Sequence, residues 1–201
     1  MIAIIDYGVG NLFSLMSSLK FIGADVVVTG DPKVIGESDG IILPGVGAFE
    51  DAAAKLRQSG LDKVIFEEVN KGKKLLGICL GMQMLFEESH EYGIHKGLGL
   101  IKGKVLPLSD VVGDLKVPHI GWNPLSFKKE SKLYKYINEG DCVYFVHSFY
   151  GAECRDSVSA VAEYGIEVTA SVECGNVYGT QFHPEKSGEV GLNILRAFCE
   201  I

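Results

Sequence analysis

The 201-residue sequence has no long apolar run, no block of Lys and Arg, and no C-x-x-C pair among its five cysteines. No apolar segment approaches the length of a bilayer span, which argues against a membrane protein. The formal net charge of −7 offers no basic surface, so nucleic acid and anionic lipid are not expected partners. Scattered cysteines in odd number argue against a disulfide framework or a zinc site and favour the reducing cytoplasm.

The remaining composition is that of an ordinary globular protein, with 47% hydrophobic and 22% charged residues. No linker, repeat or low-complexity tract divides the chain, so we predict a single domain over residues 1–201. The opening residues, MIAIIDYG, lack a basic leader and are expected to form a strand and not a signal peptide. We expect neither a metal nor another cofactor.

Short apolar runs alternate with segments of helical period in the first half of the chain. The runs are rich in Ile, Val and Leu without polar alternation, which is typical of strands buried on both faces. The alternation predicts an α/β fold with a mainly parallel sheet flanked by helices. More frequent strand-like segments between about residues 103 and 181 indicate an antiparallel extension. We predict strands at 1–5, 25–28, 40–43, 74–78, 142–147, 157–163, 168–173 and 177–182, and helices at 11–21, 48–58, 61–70 and from Ser187, which can cap the last helix.

Cys79 stands between Gly77 and Gly81, where a buried strand gives way to a helical pattern. The G-x-C-x-G spacing is that of a nucleophile elbow with cysteine in place of serine. Glycines permit the sharp turn that would hold the thiol out at the carboxyl edge of the sheet, and the thiolate is the nucleophilic form. A buried structural cysteine is the alternative, which the glycines make weaker without excluding it.

His183 is the candidate base, because it ends an apolar strand and a carboxylate follows two residues later. Residues at i and i+2 of an extended segment point to the same side, and Pro184 is expected to keep the segment from turning helical. Glu185 would then hold one ring nitrogen of His183 and leave the other for Cys79. A surface loop is the alternative for the tripeptide alone, whereas the three residues together favour a catalytic triad.

Acyl transfer also needs N–H donors for the oxyanion of its tetrahedral intermediate. The amide of Leu80, directly after the nucleophile, is one candidate. The second is the Val46 amide in PGVG, where the neighbouring glycine lets the N–H point inward or swing there. An ordinary strand-to-helix turn is the alternative interpretation of these glycines.

Two other classes of protein remain open from the residues alone. Gly8-x-Gly10 after the first strand and Asp31 after the second resemble a Rossmann dinucleotide fingerprint, but Phe13 occupies the third glycine position and is expected to block close helix packing. A non-catalytic or redox-sensing protein of the same fold would need Cys79, but not His183 and Glu185 together.

Several segments carry a resemblance to a known family. LPGVG, GICLGMQ and QFHPEKS, in this order, resemble the class I, triad-type glutamine amidotransferases, which have a flavodoxin-like α/β fold. DYGVGNL, PHIGWN and YFVHS closely resemble the glutaminase subunits of imidazole glycerol phosphate synthases, in histidine biosynthesis. These last segments argue against the glutaminase subunit of another synthase, such as one for anthranilate or pyridoxal phosphate.

The resemblance implies a reaction. Cys79 would attack the side-chain amide of glutamine and form a γ-glutamyl thioester that water hydrolyses, while His183 moves the protons and Glu185 orients the ring. The ammonia would pass to a separate cyclase subunit, which combines it with a ribulosyl-carboxamide nucleotide to give imidazole glycerol phosphate and an aminoimidazole carboxamide ribotide.

The resemblance also implies binding residues. Phe149 stands where the family leads us to expect Tyr, so a side-chain hydrogen bond from this position is in doubt. For Trp122, a place in the core is the alternative to an interface. The implied glutamine-binding residues are Gly47, Gln83, His147 and Ser148, and the implied cyclase contacts are Asn11, Trp122 and Lys186.

Overall fold

The computed structural model describes residues 1–201, which form fourteen strands and six α-helices. The strands are β1 (Ile2–Ile5), β2 (Val26–Thr29), β3 (Gly40–Gly45), β4 (Lys74–Cys79), β5 (Phe86–Ser89), β6 (His95–Lys96), β7 (Ile101–Pro107), β8 (His119–Pro124), β9 (Ser126–Phe127), β10 (Cys142–His147), β11 (Phe149–Ala152), β12 (Val158–Tyr164), β13 (Ile166–Cys174) and β14 (Val177–Thr180). The helices are α1 (Leu12–Phe21), α2 (Pro32–Glu37), α3 (Phe49–Gln58), α4 (Leu61–Asn70), α5 (Leu80–Met84) and α6 (Gly188–Glu200).

An eight-stranded sheet in the order β2-β1-β3-β4-β14-β13-β12-β9 forms the centre of the molecule. The pairs from β2 to β14 are parallel, and those from β14 to β9 are antiparallel. The predicted parallel sheet with an antiparallel extension is therefore confirmed. The remaining strands form a β8-β10 pair and a four-stranded sheet, β11-β7-β5-β6.

The central sheet is covered by helices on both faces. Along β1, Ile2 and Ile4 pack into one cluster of 22 buried residues that includes side chains of α1 and α6. Ala3 and Ile5 pack into a second cluster, of 24 residues, that includes side chains of α3 and α4. Since neighbouring residues of a strand point to opposite faces, burial on both sides explains why the strand sequences are apolar throughout.

The strands of this sheet come from both halves of the chain. One domain over residues 1–201 stays a prediction. None of the six helices combines the length and the apolar character that crossing a bilayer requires.

The apparent dinucleotide fingerprint has another explanation. The sheet begins in the order 2-1-3-4, which is the flavodoxin-like order and not that of a Rossmann domain. Asp31 caps α2, and its carboxylate accepts a hydrogen bond from the Lys33 amide at 2.9 Å. Phe13 is 75% exposed, so the expectation that it blocks helix packing is wrong.

Two local predictions next to His183 are also wrong. The segment Pro184–Lys186 is not extended but forms a 3-10 helix, because proline is well suited to the first position of a helical turn. Ser187 does not cap α6 with its side chain. Its hydroxyl instead donates to the His183 carbonyl at 2.7 Å and accepts from the Tyr144 amide at 3.0 Å, which ties the histidine segment to β10.

The elbow at Cys79 forms where β4 passes directly into α5. Cys79 adopts a φ of +55°, which is rare for a residue with a side chain. A Cβ on Gly81 would lie 1.9 Å from the Leu43 carbonyl oxygen, and one on Gly77 would lie 2.7 Å from the Gly81 carbonyl oxygen. The two glycines are therefore required by the close approach of three main-chain segments, as the sequence predicted.

We expect Gly81→Ala to lower the free energy of unfolding by about 3 kcal/mol or more, because its methyl group would force β3 away from the elbow. Gly36→Ala is the matched control, since a Cβ there meets only the Glu68 carboxylate at 3.8 Å, within a helix that alanine favours. Urea denaturation of the two variants measures the difference. Equal stabilities would contradict the proposed main-chain constraint.

Candidate active site

Cys79, His183 and Glu185 meet at the carboxyl edge of the central sheet. His183 Nδ1 lies 2.8 Å from Glu185 Oε1, and His183 and Cys79 line the same cavity, close enough for the thiol to raise the pKa of the ring. Since Glu185 occupies Nδ1, the Nε2 nitrogen is the one left for sulfur. The structure thus brings together the three residues that the sequence predicted, although through a 3-10 turn and not an extended segment.

The charge of His183 follows from these neighbours. Burial alone lowers the pKa of the ring, but the hydrogen bonds and charges of Cys79 and Glu185 outweigh burial and raise it to about 9. At neutral pH the ring is therefore an imidazolium that faces the sulfur. An imidazolium in this position stabilises a thiolate and holds a proton ready for a leaving group.

A cavity of about 380 Å³ opens over the Cys79 sulfur. Its size is within the range of small-molecule sites. A larger depression of about 640 Å³ between β11, β12 and β13 contains none of the predicted site residues, so we assign the chemistry to the smaller one. The smaller cavity is lined by Val46, Gly47, Cys79, Leu80, Gln83, Glu91, Tyr92, Pro118, Val146, His147, Ser148, Phe149, His183 and Lys186.

Both predicted oxyanion donors lie at this cavity. Leu80 opens α5, so its N–H has no acceptor within its own helix. Val46 follows β3 directly, and its amide makes no hydrogen bond within the chain. The glycine before it is needed for a further reason, since a Cβ on Gly45 would lie 2.7 Å from the Gly81 amide nitrogen.

Gln83 reaches the cavity from α5. Its Nε2 donates to the Phe149 carbonyl and to Gln181 Oε1, each at 3.0 Å, so its own Oε1 is left for a ligand. The contribution of Phe149 to this arrangement comes from its carbonyl. The missing tyrosine hydroxyl therefore leaves the main-chain contacts at this position intact.

His147 lines the cavity and is part of a buried chain of contacts that the sequence did not reveal. Its Nδ1 lies 2.8 Å from the Phe149 carbonyl, and its Nε2 lies 3.0 Å from Nδ1 of His119. His119 Nε2 lies 2.8 Å from Asn123 Oδ1, whose amide group donates to the Glu163 carbonyl. Burial lowers the pKa of His119, and it lowers that of His147 to about 4.

The Phe149 carbonyl and Asn123 Oδ1 lie at the two ends of this row of contacts, and both can only accept hydrogen bonds. Two neutral imidazoles carry two N–H protons, whereas three contacts need three. When both rings are neutral and each donates to its outer acceptor, no proton is left between His119 Nδ1 and His147 Nε2. Because burial keeps both rings neutral at pH 7, His147 presents an uncharged ring to the cavity.

Sequence reasoning assigned no role to four residues of the lining, Glu91, Tyr92, Pro118 and Val146. Glu91 is held by α3, because its Oε2 accepts a hydrogen bond from the Phe49 amide at 2.6 Å. The polar loop that carries it shows no periodicity and no motif, so nothing in the sequence indicates that it folds over the cavity.

The three predicted partner contacts lie in different places. Lys186 lines the cavity, whereas Asn11 and Trp122 do not. Asn11 caps α1 by accepting a hydrogen bond from the Ser14 amide at 3.3 Å. Trp122 is 55% exposed and packs edge-on against Tyr144, with 5.9 Å between ring centroids, so the alternative of a core tryptophan is wrong.

Comparison with known proteins identifies the family. The family Glutamine amidotransferase class-I matches residues 3–200. The chain is 51% identical to the imidazole glycerol phosphate synthase subunit HisH of Geobacillus sp. (strain WCH70), with 100% of this chain and 97% of that protein covered. It is 46% identical to the HisH subunit of Geobacter metallireducens, with 98% and 97% covered. The chain belongs to the HisH family of class I glutamine amidotransferases.

Solved structures of lower sequence identity have the same fold. A crystal structure of a glutamine amidotransferase superimposes with a TM-score of 0.77 at 16% identity, covering 100% of both chains. A chain of the PurLQS structure from Thermotoga maritima gives 0.76 at 23% identity, covering 99% of this chain and 97% of that chain. The flavodoxin-like fold predicted for this HisH-family chain is therefore confirmed.

We also looked for groups of side chains that could bind a metal ion. No three His, Cys, Asp or Glu side chains of residues 1–201 are grouped as a metal ion would require. All five cysteines are free.

The two buried histidines of the cavity lining predict how stability depends on pH. The pKa of His147 is lowered from 6.5 to about 4 in the folded protein. As pH falls from 6.5 towards 4, this histidine gains a proton in the unfolded chain but not in the folded one, so the free energy of unfolding decreases. The pKa of His183 is raised from 6.5 to about 9 in the folded protein. As pH rises from 6.5 towards 9, this histidine loses its proton in the unfolded chain but keeps it in the folded one, so the free energy of unfolding decreases. We expect maximal stability near pH 6.5, with each histidine contributing up to roughly 1.4 kcal/mol per pH unit.

Urea unfolding between pH 5 and 8.5 measures this profile. His147→Gln should flatten its acid side and His183→Gln its alkaline side, whereas His90→Gln, outside the cavity lining, is the control. An unchanged profile in both cavity variants would contradict the assigned protonation states.

Proposed function

We propose that this chain hydrolyses glutamine with Cys79 as nucleophile and delivers the ammonia to a cyclase partner. As a member of the HisH family, it is the glutaminase subunit of an imidazole glycerol phosphate synthase in histidine biosynthesis. The alternative of a subunit for another synthase is therefore wrong. A cytoplasmic location, as inferred from the free cysteines, belongs to the same proposal.

One observation carries the assignment of the reaction. Cys79 at its positive φ, an imidazole oriented by a buried carboxylate, and the two residues that carry the candidate oxyanion amides all line one cavity. A structural cysteine requires none of these. A redox sensor requires a reactive thiol but neither a histidine–glutamate pair nor oxyanion donors.

Thioester formation is the first half of the proposed reaction. The Cys79 thiolate attacks the side-chain carbonyl carbon of glutamine, and the resulting oxyanion accepts hydrogen bonds from the Leu80 and Val46 amides. His183, already protonated, gives its proton to the departing nitrogen. The C–N bond breaks, ammonia leaves, and a γ-glutamyl thioester remains on Cys79.

Hydrolysis completes the cycle. Neutral His183 takes a proton from a water molecule, which attacks the thioester carbonyl. The C–S bond breaks, glutamate is released, and the thiolate–imidazolium pair is restored. Glu185 keeps Nδ1 protonated throughout, so that Nε2 exchanges the proton.

The charges at the cavity suit the amino-acid end of glutamine. Glu91 and Lys186 bring one charge of each sign to the lining, which matches the ammonium and carboxylate of a zwitterion. Gly47, Gln83, His147 and Ser148 are proposed to hold the rest of the substrate, as the family resemblance implied.

The partner is proposed to control the rate through the Val46 amide. The DYGVGN loop that resembles the family's cyclase contact also supports the oxyanion strand, because the Tyr7 hydroxyl donates to the Pro44 carbonyl at 2.8 Å. Since the Val46 amide makes no hydrogen bond within the chain, small shifts of this strand can turn it toward or away from the oxyanion. One lost oxyanion donor lowers the rate by about 10²–10³.

Cys79→Ser should abolish glutamine-dependent synthesis, because a hydroxyl is far harder to ionise than a thiol of similar volume. The measurement is glutamate release and product formation by the complex with the cyclase, with ammonium chloride as the alternative nitrogen source. Ammonium-dependent synthesis should persist in the variant, which separates loss of the nucleophile from loss of the complex.

The wild-type chain provides the test of control in the same assay. It should be nearly idle alone and should gain about 10²-fold or more in kcat with cyclase and nucleotide. A serine variant with near-normal glutaminase rate would refute the nucleophile. If the isolated chain hydrolyses glutamine as fast as its complex with cyclase and nucleotide, the proposed control by the Val46 amide is refuted.

Trp122→Ala should weaken cyclase binding by at least tenfold, because an exposed indole on a partner face is a typical interface anchor. Titration calorimetry with the cyclase measures the effect, and Phe66→Ala, a half-exposed aromatic on α4, is the control. Undiminished affinity in a folded Trp122 variant would remove this residue from the interface.

A further inference from the structure

Gln181 is a buried polar residue that the reaction described above does not use. It directly follows β14, two positions before His183, and its side chain is fully buried. Its Nε2 lies 3.8 Å from the Cys79 sulfur, within the hydrogen-bond range for sulfur, and its Oε1 accepts from Gln83 Nε2 at 3.0 Å. The sulfur therefore has a second polar neighbour besides His183.

The orientation of this amide follows from its neighbours. The Phe149 carbonyl can only accept, so it fixes which end of the Gln83 amide is Nε2. The second N–H of Gln83 then needs an acceptor, and Gln181 Oε1 provides it. Gln181 is thereby forced to present its own NH₂ group, and not its oxygen, to the sulfur.

We propose that Gln181 is a further catalytic residue, whose amide N–H stabilises the Cys79 thiolate; this rests on the proposed role of Cys79 as nucleophile. A thiolate accepts a hydrogen bond far better than a neutral thiol, so a fixed donor favours the ionised form. The donor assists the thiolate before attack and again when the C–S bond breaks. Gln181 gains and loses no proton in either step.

A purely structural role is the competing explanation, since Gln181 also links β14 to α5 through Gln83. Two variants separate the roles. Gln181→Glu keeps an acceptor for Gln83 and removes the amide donor, whereas Gln181→Met removes both groups and keeps the length of the side chain. Thr180→Val is the matched control, because the buried Thr180 hydroxyl has no hydrogen-bond partner.

The test is the pH dependence of iodoacetamide alkylation, followed by mass spectrometry of the peptide that contains Cys79. The exposed Cys142 and Cys174 provide internal references in the same samples. We expect both Gln181 variants to raise the Cys79 alkylation midpoint by about one pH unit, which lowers the alkylation rate by about tenfold at pH values below the wild-type midpoint. The references and the Thr180 variant should not change.

Two further measurements make the test decisive. In the complex with cyclase, Gln181→Glu should lower kcat by about tenfold and leave KM for glutamine within a few-fold, because Gln83 keeps its partner. In the wild-type chain, the side-chain amide resonances of Gln181 should titrate with the midpoint of Cys79 alkylation, which requires no substitution.

The inference is overturned if the folded variants retain the wild-type alkylation midpoint. It is equally overturned if the Gln181 amide resonances do not respond to ionisation of the thiol, an outcome that applies even where a variant does not fold. Absence of glutaminase activity in the wild-type complex would instead refute the proposed function. The alkylation profile remains readable in that case, so the two failures are distinguishable.

Discussion

The active site depends on a main-chain contact between the first turn of α5 and the end of β3. At this contact the Leu43 carbonyl and the Gly81 backbone approach so closely that no Cβ fits between them. Close approach places the end of β3, with the Val46 amide, beside the strained turn at Cys79. The candidate nucleophile and the candidate oxyanion donors are thus positioned by backbone geometry, which is stiffer than side-chain rotamers.

Two buried histidines at one cavity carry opposite charge states. Burial disfavours the charged form of both rings, so the neighbours decide the outcome. His183 faces a carboxylate and a thiol, which hold its proton. His147 faces a carbonyl and another imidazole, which together do not compensate for lost solvation. One wall of the cavity therefore carries a protonated imidazole, as the proposed reaction requires, and the adjoining wall carries an uncharged one.

Periodicity predicted the parallel half of the sheet, and motifs singled out Cys79, His183 and Glu185, which the structure brings together. Both signals are local in sequence. The short strands β5, β6 and β9 escaped prediction, since segments of two to four residues are too short to show a period. The 3-10 turn after His183 was missed because the alternation of an extended strand was assumed to continue past Pro184. Gln181 and Glu91 were missed for another reason. Their contacts join residues 98, 102 and 42 positions apart, and only the folded chain brings these together.

The position of Trp122 also has an experimental consequence. It is the only tryptophan of the chain, more than half exposed on β8, and it contacts one tyrosine ring. Indole emission depends on solvent contact, so the tryptophan fluorescence of this protein has a single source on a single strand. A spectroscopist thus has an optical reporter of the surroundings of β8 without introducing any label.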